Sequence, residues 1–370
     1  MEQRVSDLTA AIRSAMPGHE FLKAVWLIAR HKGHLGLAAA ESPRFKLSSP
    51  NLERVLKAAV AAGSTGSADW GDDVANFYSI ASEWISSVSR RTILGRLATV
   101  RVPFLTRSVI ETAAASAVFV KPGGAIPARK LGLDDTATLE RFKLGTIIAF
   151  TSESFVSWSP AIQQNLNDRL GLAVARGLDQ GFVDPDSAGA ADETPASVLN
   201  GVSPLGDFTN TAAGAIADVA TLLAAHVDAG SDLDRVLLCM HPSTALALSL
   251  MQSSGNYTFP DLTAVGGSIV GVPVATSVAC QRSGSPSEKI VAALDGAKIL
   301  SADDGGVEVT ASDVAAFELL DNPTNLSTGA TTPTNVVSMM QTNSTAIKVV
   351  RFVNFRRAVA SGVSWMTSNF

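Results

Sequence analysis

The chain has 370 residues and a mass of 38.4 kDa, enough to bury a large core and to fold as two domains with extensions. Charged residues make up only 17% of it, against a norm of about 25%, so much surface is left that neighbouring chains could cover; an apolar-rich monomer is the other reading. The net charge of −5 excludes a general electrostatic drive toward DNA or an anionic membrane, though not local basic patches.

Met1 to Ala15 alternates charged and apolar residues as a soluble helix does, and unlike a Sec-type signal peptide. Residues 1–62 predict two or three helices, with Phe21, Val25, Ile28 and Ala29 on one face and Leu52, Val55, Leu56 and Ala59 on another. Gly63 to Ser67 breaks the pattern as a linker. Helical spacing returns through Val74, Phe77, Ile80, Ala81, Trp84, Ile85 and Val88, and ends at Arg90-Arg91.

From Ile93 to Phe155 the pattern predicts strands. Val100, Val102 and Phe104 alternate, Ala117 to Val120 leads into Lys121-Pro122-Gly123-Gly124, and Leu139 to Thr151 forms a long β run. A polar tip near Pro127 to Thr136 carries Arg129 and Lys130. A long two-stranded arm cannot bury an apolar face alone, so it should lie on something else. The run from Leu139 to Phe150 is too short, and too charged at Glu140, Arg141 and Lys143, to span a bilayer, and no membrane partner is expected.

The strongest single signal is Trp158 to Asp184. Ile162, Leu166, Leu170, Val174, Leu178 and Phe182 recur at every fourth position, which predicts one amphipathic helix of about 24 residues, roughly 36 Å long. Ser159 is suited to cap it, Pro160 fits its first turn, and Asp184-Pro185 stops it. Beyond a loop rich in Ala, Asp, Gly and Pro, Gly214 to Val227 predicts a helix carrying Ile216, Val219, Leu222 and Leu223. Asp234 to Met240 reads as a strand, followed by a helix from His241 to Met251 with Ser243 or Thr244 near its cap. A turn at Gly266-Gly267, strands at Ile269 to Ala275 and Ile290 to Leu294, a turn at Asp295-Gly296 and a strand at Val307 to Thr310 come next. Strand-like stretches from Met339 to Ala360 surround Lys348, Arg351, Arg356 and Arg357. The whole is an α+β mixture.

Residues for chemistry are sparse. The chain has no HExxH, Cys/His cluster, GxxxxGK[ST] or GxGxxG after a strand, so no metal or cofactor is expected. Cys239 and Cys280 read as buried reduced thiols, with a disulfide as the alternative, and a reducing cytoplasm as the compartment. His31 and His34 could share a helical face but have no carboxylate or thiol at the next turn, so they read as solvated. His241 with Ser243 and Asp234 suggests a hydrolase only weakly, since no GxSxG elbow is present. Asp72-Asp73, Asp134-Asp135 and Asp303-Asp304 read as turn residues bonding to local backbone. The basic residues at 348–357 alternate with Val349, Phe352 and Phe355, as on a sheet with one wet face.

In order and spacing these elements resemble the HK97-type major capsid protein family of tailed bacteriophages, whose fold is shared by encapsulins. The resemblance is carried by the Ala-Gly-rich lead at 61–66, Ser89-Arg90-Arg91-Thr92-Ile93-Leu94, and Val102-Pro103 opening an extended loop. It continues in Thr151-Ser152-Glu153-Ser154-Phe155 before the long helix, with its Ala-Arg-Gly-Leu-Asp-Gln-Gly-Phe run at 175–182. In the second half it rests on Val236 to Thr244, Ile269 to Val274, Leu294-Asp295-Gly296-Ala297 and Met340 to Asn343. The chain departs from the family where Leu294-Asp295 replaces the usual Gly-Asp, and at its ending.

The resemblance implies an HK97-like capsid fold with peripheral domain, axial domain, long spine helix and an extended β-hairpin, the E-loop. It implies a helical N-terminal extension at 1–62, an N-terminal arm at 63–95, E-loop and peripheral strands at 96–151, spine helix and following loop at 152–200, axial domain at 201–335, and closing strands at 336–370. It implies a non-enzymatic shell protein that forms pentamers and hexamers around double-stranded DNA without sequence readout. A portal, and decoration or scaffolding proteins, would be partners; the location would be the virion capsid, assembled in bacterial host cytoplasm. An encapsulin shell is the alternative within the fold. Assembly contacts are expected at Arg129, Lys130, Asp134, Phe142, Ile147 and Phe150. Residues 1–62 are expected as a retained extension, with an uncleaved scaffold as the alternative. No motif pins Lys121, Lys130 or Asn343 as cross-linking partners, so no covalent chainmail is expected; boiled particles should give no ladder above the 38.4 kDa band on SDS gels.

Overall fold

A computed structural model describes residues 23–24, 26–27, 30–31, 35–45, 52, 87–113, 132–151, 160–191, 193–285, 288–312, 315–318 and 336–370. In chain order its elements begin with α1 (Leu35–Glu41), α2 (Ile93–Arg96), β1 (Val100–Arg101), β2 (Arg107–Ala113), β3 (Gly132–Thr138), β4 (Phe142–Thr151), α3 (Pro160–Val183), α4 (Ala212–Asp228), β5 (Val236–Met240) and α5 (Pro242–Leu250). They continue with β6 (Gln252–Ser253), β7 (Asn256–Tyr257), β8 (Leu262–Thr263), β9 (Gly266–Ile269), β10 (Val272–Thr276), β11 (Lys289–Asp295), β12 (Ile299–Ser312), β13 (Ala316–Glu318), β14 (Val336–Ser338), β15 (Ser344–Arg357) and β16 (Val363–Ser368). The chain divides into two compact units, one of Met1–Val88, Leu144–Val174 and Gly305–Arg351, the other of Ser89–Lys143, Ala175–Asp304 and Phe352–Phe370.

In the first unit, Glu41 at the end of α1 gathers basic side chains around it. His31 Nε2 lies 2.7 Å and Arg30 3.3 Å from its carboxylate, Arg44 adds a third contact, and Arg30 stacks over Trp26. His31 is thus paired rather than simply solvated, its carboxylate coming from ten residues on instead of one helical turn. Trp26, Leu27, Ala38 and Leu52 are buried in this unit. His34, the rest of the two predicted faces at 21–29 and 52–59, the linker at 63–67 and residues 72–86 lie outside the described residues.

The second unit is built on a six-stranded sheet ordered β16, β11, β5, β10, β9, β8. Its strands β5 and β11 read as apolar runs because both faces are covered: every residue of β5, and every residue of β11 but Lys289, is buried. On one face α4 and α5 contribute Ala215, Val219, Leu222, Ala245 and Leu248 to a core with Val236, Leu238, Met240, Val291 and Ala293. Thr211 caps α4, its side chain accepting from Gly214 N. His226, wholly buried on α4, lies 3.1 Å from the Ala293 carbonyl and 3.2 Å from Ser364 Oγ, tying the helix to β11 and β16. Burial holds its pKa below the ordinary imidazole value. Ile216, on the same helix, is 52% exposed.

Helix α3 spans the stretch that the period-four repeat marks, and at its end Asp184 Oδ1 accepts from Asp186 N in a local turn. Val174 is half-buried and Leu178 and Phe182 are buried, with Phe182 packed edge-on against Phe355 at 4.9 Å. Ile162, Leu166 and Leu170 lie on the first half of the helix, where its backbone is described.

Other expectations need correction. Ile93 to Arg96 is a helical turn and not strand, capped by Thr92, whose side chain accepts from Gly95 N at 2.9 Å. Gly95 is required there, since a Cβ would stand 2.1 Å from the Ser89 carbonyl oxygen. Gly266-Gly267 is the start of β9 rather than a turn; Gly267 has φ +146°, and its Cβ would lie 2.1 Å from the Asp261 carbonyl oxygen. The stretch from Ile269 to Ala275 is broken by a two-residue turn at Val270-Gly271, both at positive φ, which is the hairpin geometry that matches strand twist. Helix α5 is capped by His241, not Ser243 or Thr244. Asp134-Asp135 lie within β3 and Asp303-Asp304 within β12, so neither pair is a turn. Asp72-Asp73 lie outside the described residues.

Asp179 of α3 is a buried carboxylate of the second unit, 2% exposed. Its Oδ1 accepts from Ile93 N at 2.7 Å and its Oδ2 from Ser277 Oγ at 2.7 Å. Burial pushes its pKa up to about 6, against the opposing pull of the Ser277 and Ile93 bonds and the Arg96 charge. The folded state therefore holds the proton more tightly than the unfolded chain. The group's contribution is full below the ordinary value of 3.8 and is lost as pH rises through about 6. The unfolding free energy of wild type minus that of Asp179→Asn should fall by on the order of 2 to 3 kcal/mol between pH 4 and pH 7. Urea denaturation across that range measures it; a difference that stays flat with pH contradicts the placement.

Candidate assembly surfaces

Strands β2 and β3 pair only with each other, antiparallel, with register shifts between Ser108 and Ile110 and between Glu111 and Ala113. Among the described residues both outer edges of this hairpin are unpaired, and such edges seek a partner or a cover. The root is firm. Leu105 N donates to the Leu139 carbonyl at 2.9 Å, and Asn354 Nδ2 donates to the Glu140 carbonyl at 2.7 Å. Leu139 is buried with Leu300 and Ala302 under Val102 and Phe104, and Arg141 stands over the Phe104 ring. Leu105 itself is 69% exposed at φ +57°, a left-handed backbone uncommon for a branched side chain.

Of the six residues expected at assembly contacts, Asp134 lies on β3 opposite Ile110, and Phe142, Ile147 and Phe150 lie on β4. Phe142 is half-buried and Ile147 is 50% exposed. Arg129 and Lys130 lie outside the described residues.

A further apolar surface was not expected from the pattern of residues. Val265 and Val270, at the two ends of β9, are 80% and 85% exposed, and Leu250 on α5 is 63% exposed. Val270 borders a groove of about 470 Å³ lined also by Ile216, Val219, Leu223, Phe259 and Pro260. The available signal was a valine directly before a glycine at a hairpin tip, where Asn-Gly is the usual choice.

A second groove of about 630 Å³ lies at the hairpin root, between Thr138 to Phe142, the loop at 188–200 and the end of β15. Arg357 reaches into its wall and donates to the carbonyls of Val198 and Asn200, while burial lowers its pKa. Arg282 clasps Asp186 at 2.8 Å and Glu288 at 2.7 Å, so Asp186 is held below the ordinary carboxylate range.

The hydrolase reading does not assemble. His241 Nδ1 faces Ser243 Oγ at 2.6 Å, but the same nitrogen accepts from Ser243 N as the α5 cap. Asp234 turns to Arg235, and among the described residues no carboxylate bonds to His241. Among them, too, no group of three His, Cys, Asp or Glu residues could hold a metal, and no helix is long and apolar enough to cross a membrane.

The Phage capsid family model matches residues 79–356 of this sequence. The chain belongs to the phage capsid family. A capsid polyprotein of Pseudomonas phage PAJU2 is 31% identical over 364 residues, which cover 95% of this chain and 54% of that protein. This capsid-family chain thus spans about half the length of that relative. Structures from Mycobacterium phages Ogopogo and Adephagia match with TM-scores of 0.52 and 0.51, each at 16% identity over 75% of this chain, and over 92% and 89% of theirs. At that identity they speak for the fold alone, and it is the HK97-like capsid fold. Family membership implies a structural rather than a catalytic role, and the phage origin of these matches favours a capsid over an encapsulin.

Val270 combines strain with exposure. Val270→Asn should relieve the left-handed β-branched backbone and raise the unfolding free energy of the unassembled subunit by about 0.5 to 1 kcal/mol. The urea midpoint measures this; an unchanged or lower midpoint would count against strain at the turn.

Proposed function

We propose that this chain is the major capsid subunit of a phage, forming pentamers and hexamers that close into an icosahedral shell around double-stranded DNA. The observation that carries the reading is the β2–β3 hairpin, firmly rooted yet unpaired along both edges among the described residues. Lying on a neighbouring subunit would cover those edges, and repetition of such heterologous contacts closes rings. Binding energy is then the only chemistry required. Buried apolar area around Phe142, Ile147 and Phe150 carries most of it, while charges such as Arg129, Lys130 and Asp134 tune the rim. The net charge of −5 suits a wall that holds DNA without clinging to phosphate or reading bases. Assembly takes place in the host cytoplasm, with a portal and scaffolding or decoration proteins as partners, and residues 1–62 serve as a retained extension bracing capsomers.

Because Arg107 stands opposite Thr138 in the hairpin register, residues 108–137 can be replaced by Asn-Gly without disturbing the root. That variant should fold with an unchanged melting temperature and sediment as free subunits, with shells lost in negative-stain micrographs. Normal shells from it would refute the role given to the hairpin.

A further inference from the structure

Cys239 and Cys280 are both fully buried and both free thiols. They are 41 positions apart in sequence, yet the sheet register makes them near neighbours. On its β5 side, β11 pairs Ala292 with Cys239 and Val291 with Met240. There β5 ends, and the chain returning from β10 takes over its lane. Gln281 bridges Lys289 in antiparallel sense, and Ile290 N donates to the Cys280 carbonyl at 3.0 Å. The other side of β11 is occupied by β16 along the same residues. The successive partners of Ala292, Val291 and Ile290 are therefore Cys239, Met240 and Cys280. Two steps along one lane put both side chains on the same face, with Cα atoms about 6.6 Å apart at roughly 3.3 Å per residue. That is within the span of about 4.4 to 6.8 Å that a disulfide bridges. The neighbouring Cys239 thiol and burial push the Cys280 thiol well above its ordinary range.

We propose that Cys239 and Cys280 are a redox-convertible pair that closes to an intrachain disulfide when a small-molecule disulfide reaches the folded subunit. One cysteine, as thiolate, attacks a sulfur of the small disulfide, giving a mixed disulfide and releasing one small thiol. The second cysteine displaces the other small thiol and forms the Cys239–Cys280 bond. The two protons leave with the two released thiols, and the two electrons reduce the small disulfide. The neighbouring Cys239 thiol, burial and the nearby Asp179 charge all keep the Cys280 thiol protonated. Closure is therefore slow, and the reduced form persists wherever thiol reductants dominate. Once closed, the strap would join the end of β5 to the segment that carries Ser277, the partner of Asp179.

Oxidised glutathione is the probe. The full chain, incubated with it, then denatured in excess iodoacetamide and digested, should yield a linked peptide pair containing Cys239 and Cys280. The intact mass should be about 2 Da below that of the reduced chain, the two hydrogens lost in closure. The melting temperature should rise, and dithiothreitol should restore both values. Cys239→Ala and Cys280→Ala should each fold, as small buried replacements, and show neither the link nor the temperature rise. Two carbamidomethylated cysteines after prolonged oxidation, a glutathione adduct that goes no further, or a bond between chains would each overturn the proposal.

Discussion

Asp179 is the buried carboxylate that ties distant parts of the second unit together. Asp179 accepts from the backbone of Ile93 and from the side chain of Ser277, residues 86 and 98 positions away in the chain. It joins three segments with no local reason to meet: the short helix α2, the long helix α3, and the segment that follows β10. A carboxylate in such a place is costly unless its oxygens are satisfied, and here both are used. Removing either partner would leave a buried charge half-solvated, so the segments hold one another in place.

A second buried titratable group acts in the opposite pH sense. His226 is held neutral by burial, so its contribution is present above the ordinary imidazole value and falls away as the medium becomes acidic. Asp179 favours acid and His226 favours neutrality, and both grip the same sheet from different elements. Their opposition narrows the pH dependence of the unit without either being tuned to a reaction.

Much of this was legible in the sequence where one periodicity rules for long enough. The fourth-residue repeat from Ile162 to Phe182 gave the long helix and its stop at Asp184. Strand β5 and helix α4 were equally plain. Asp179 was not, because nothing in the run at 175–182 distinguishes a buried acid from a solvated one until partners far along the chain are known. Strand β16 was missed because Val363 to Ser368 is buried on both faces despite three hydroxyl residues, so it has neither alternation nor an apolar run. The His241 cap was misassigned to Ser243 because hydroxyl caps are the commoner choice, and imidazole does the same work. The assembly residues were the least legible. Exposure of Val265 and Val270 follows from where a hairpin turns, which a string of Val, Gly and Ser does not announce.

The account stands or falls on whether the hairpin is an assembly element. Its most direct test is a cryo-electron microscopy reconstruction of particles recovered from cells that make this chain. The account predicts this fold repeated in rings of five and six, with β2 and β3 lying across a neighbouring subunit and the Asp179 contacts intact in every copy. A shell wall built by another chain, or hairpins folded back on their own subunits, would contradict it.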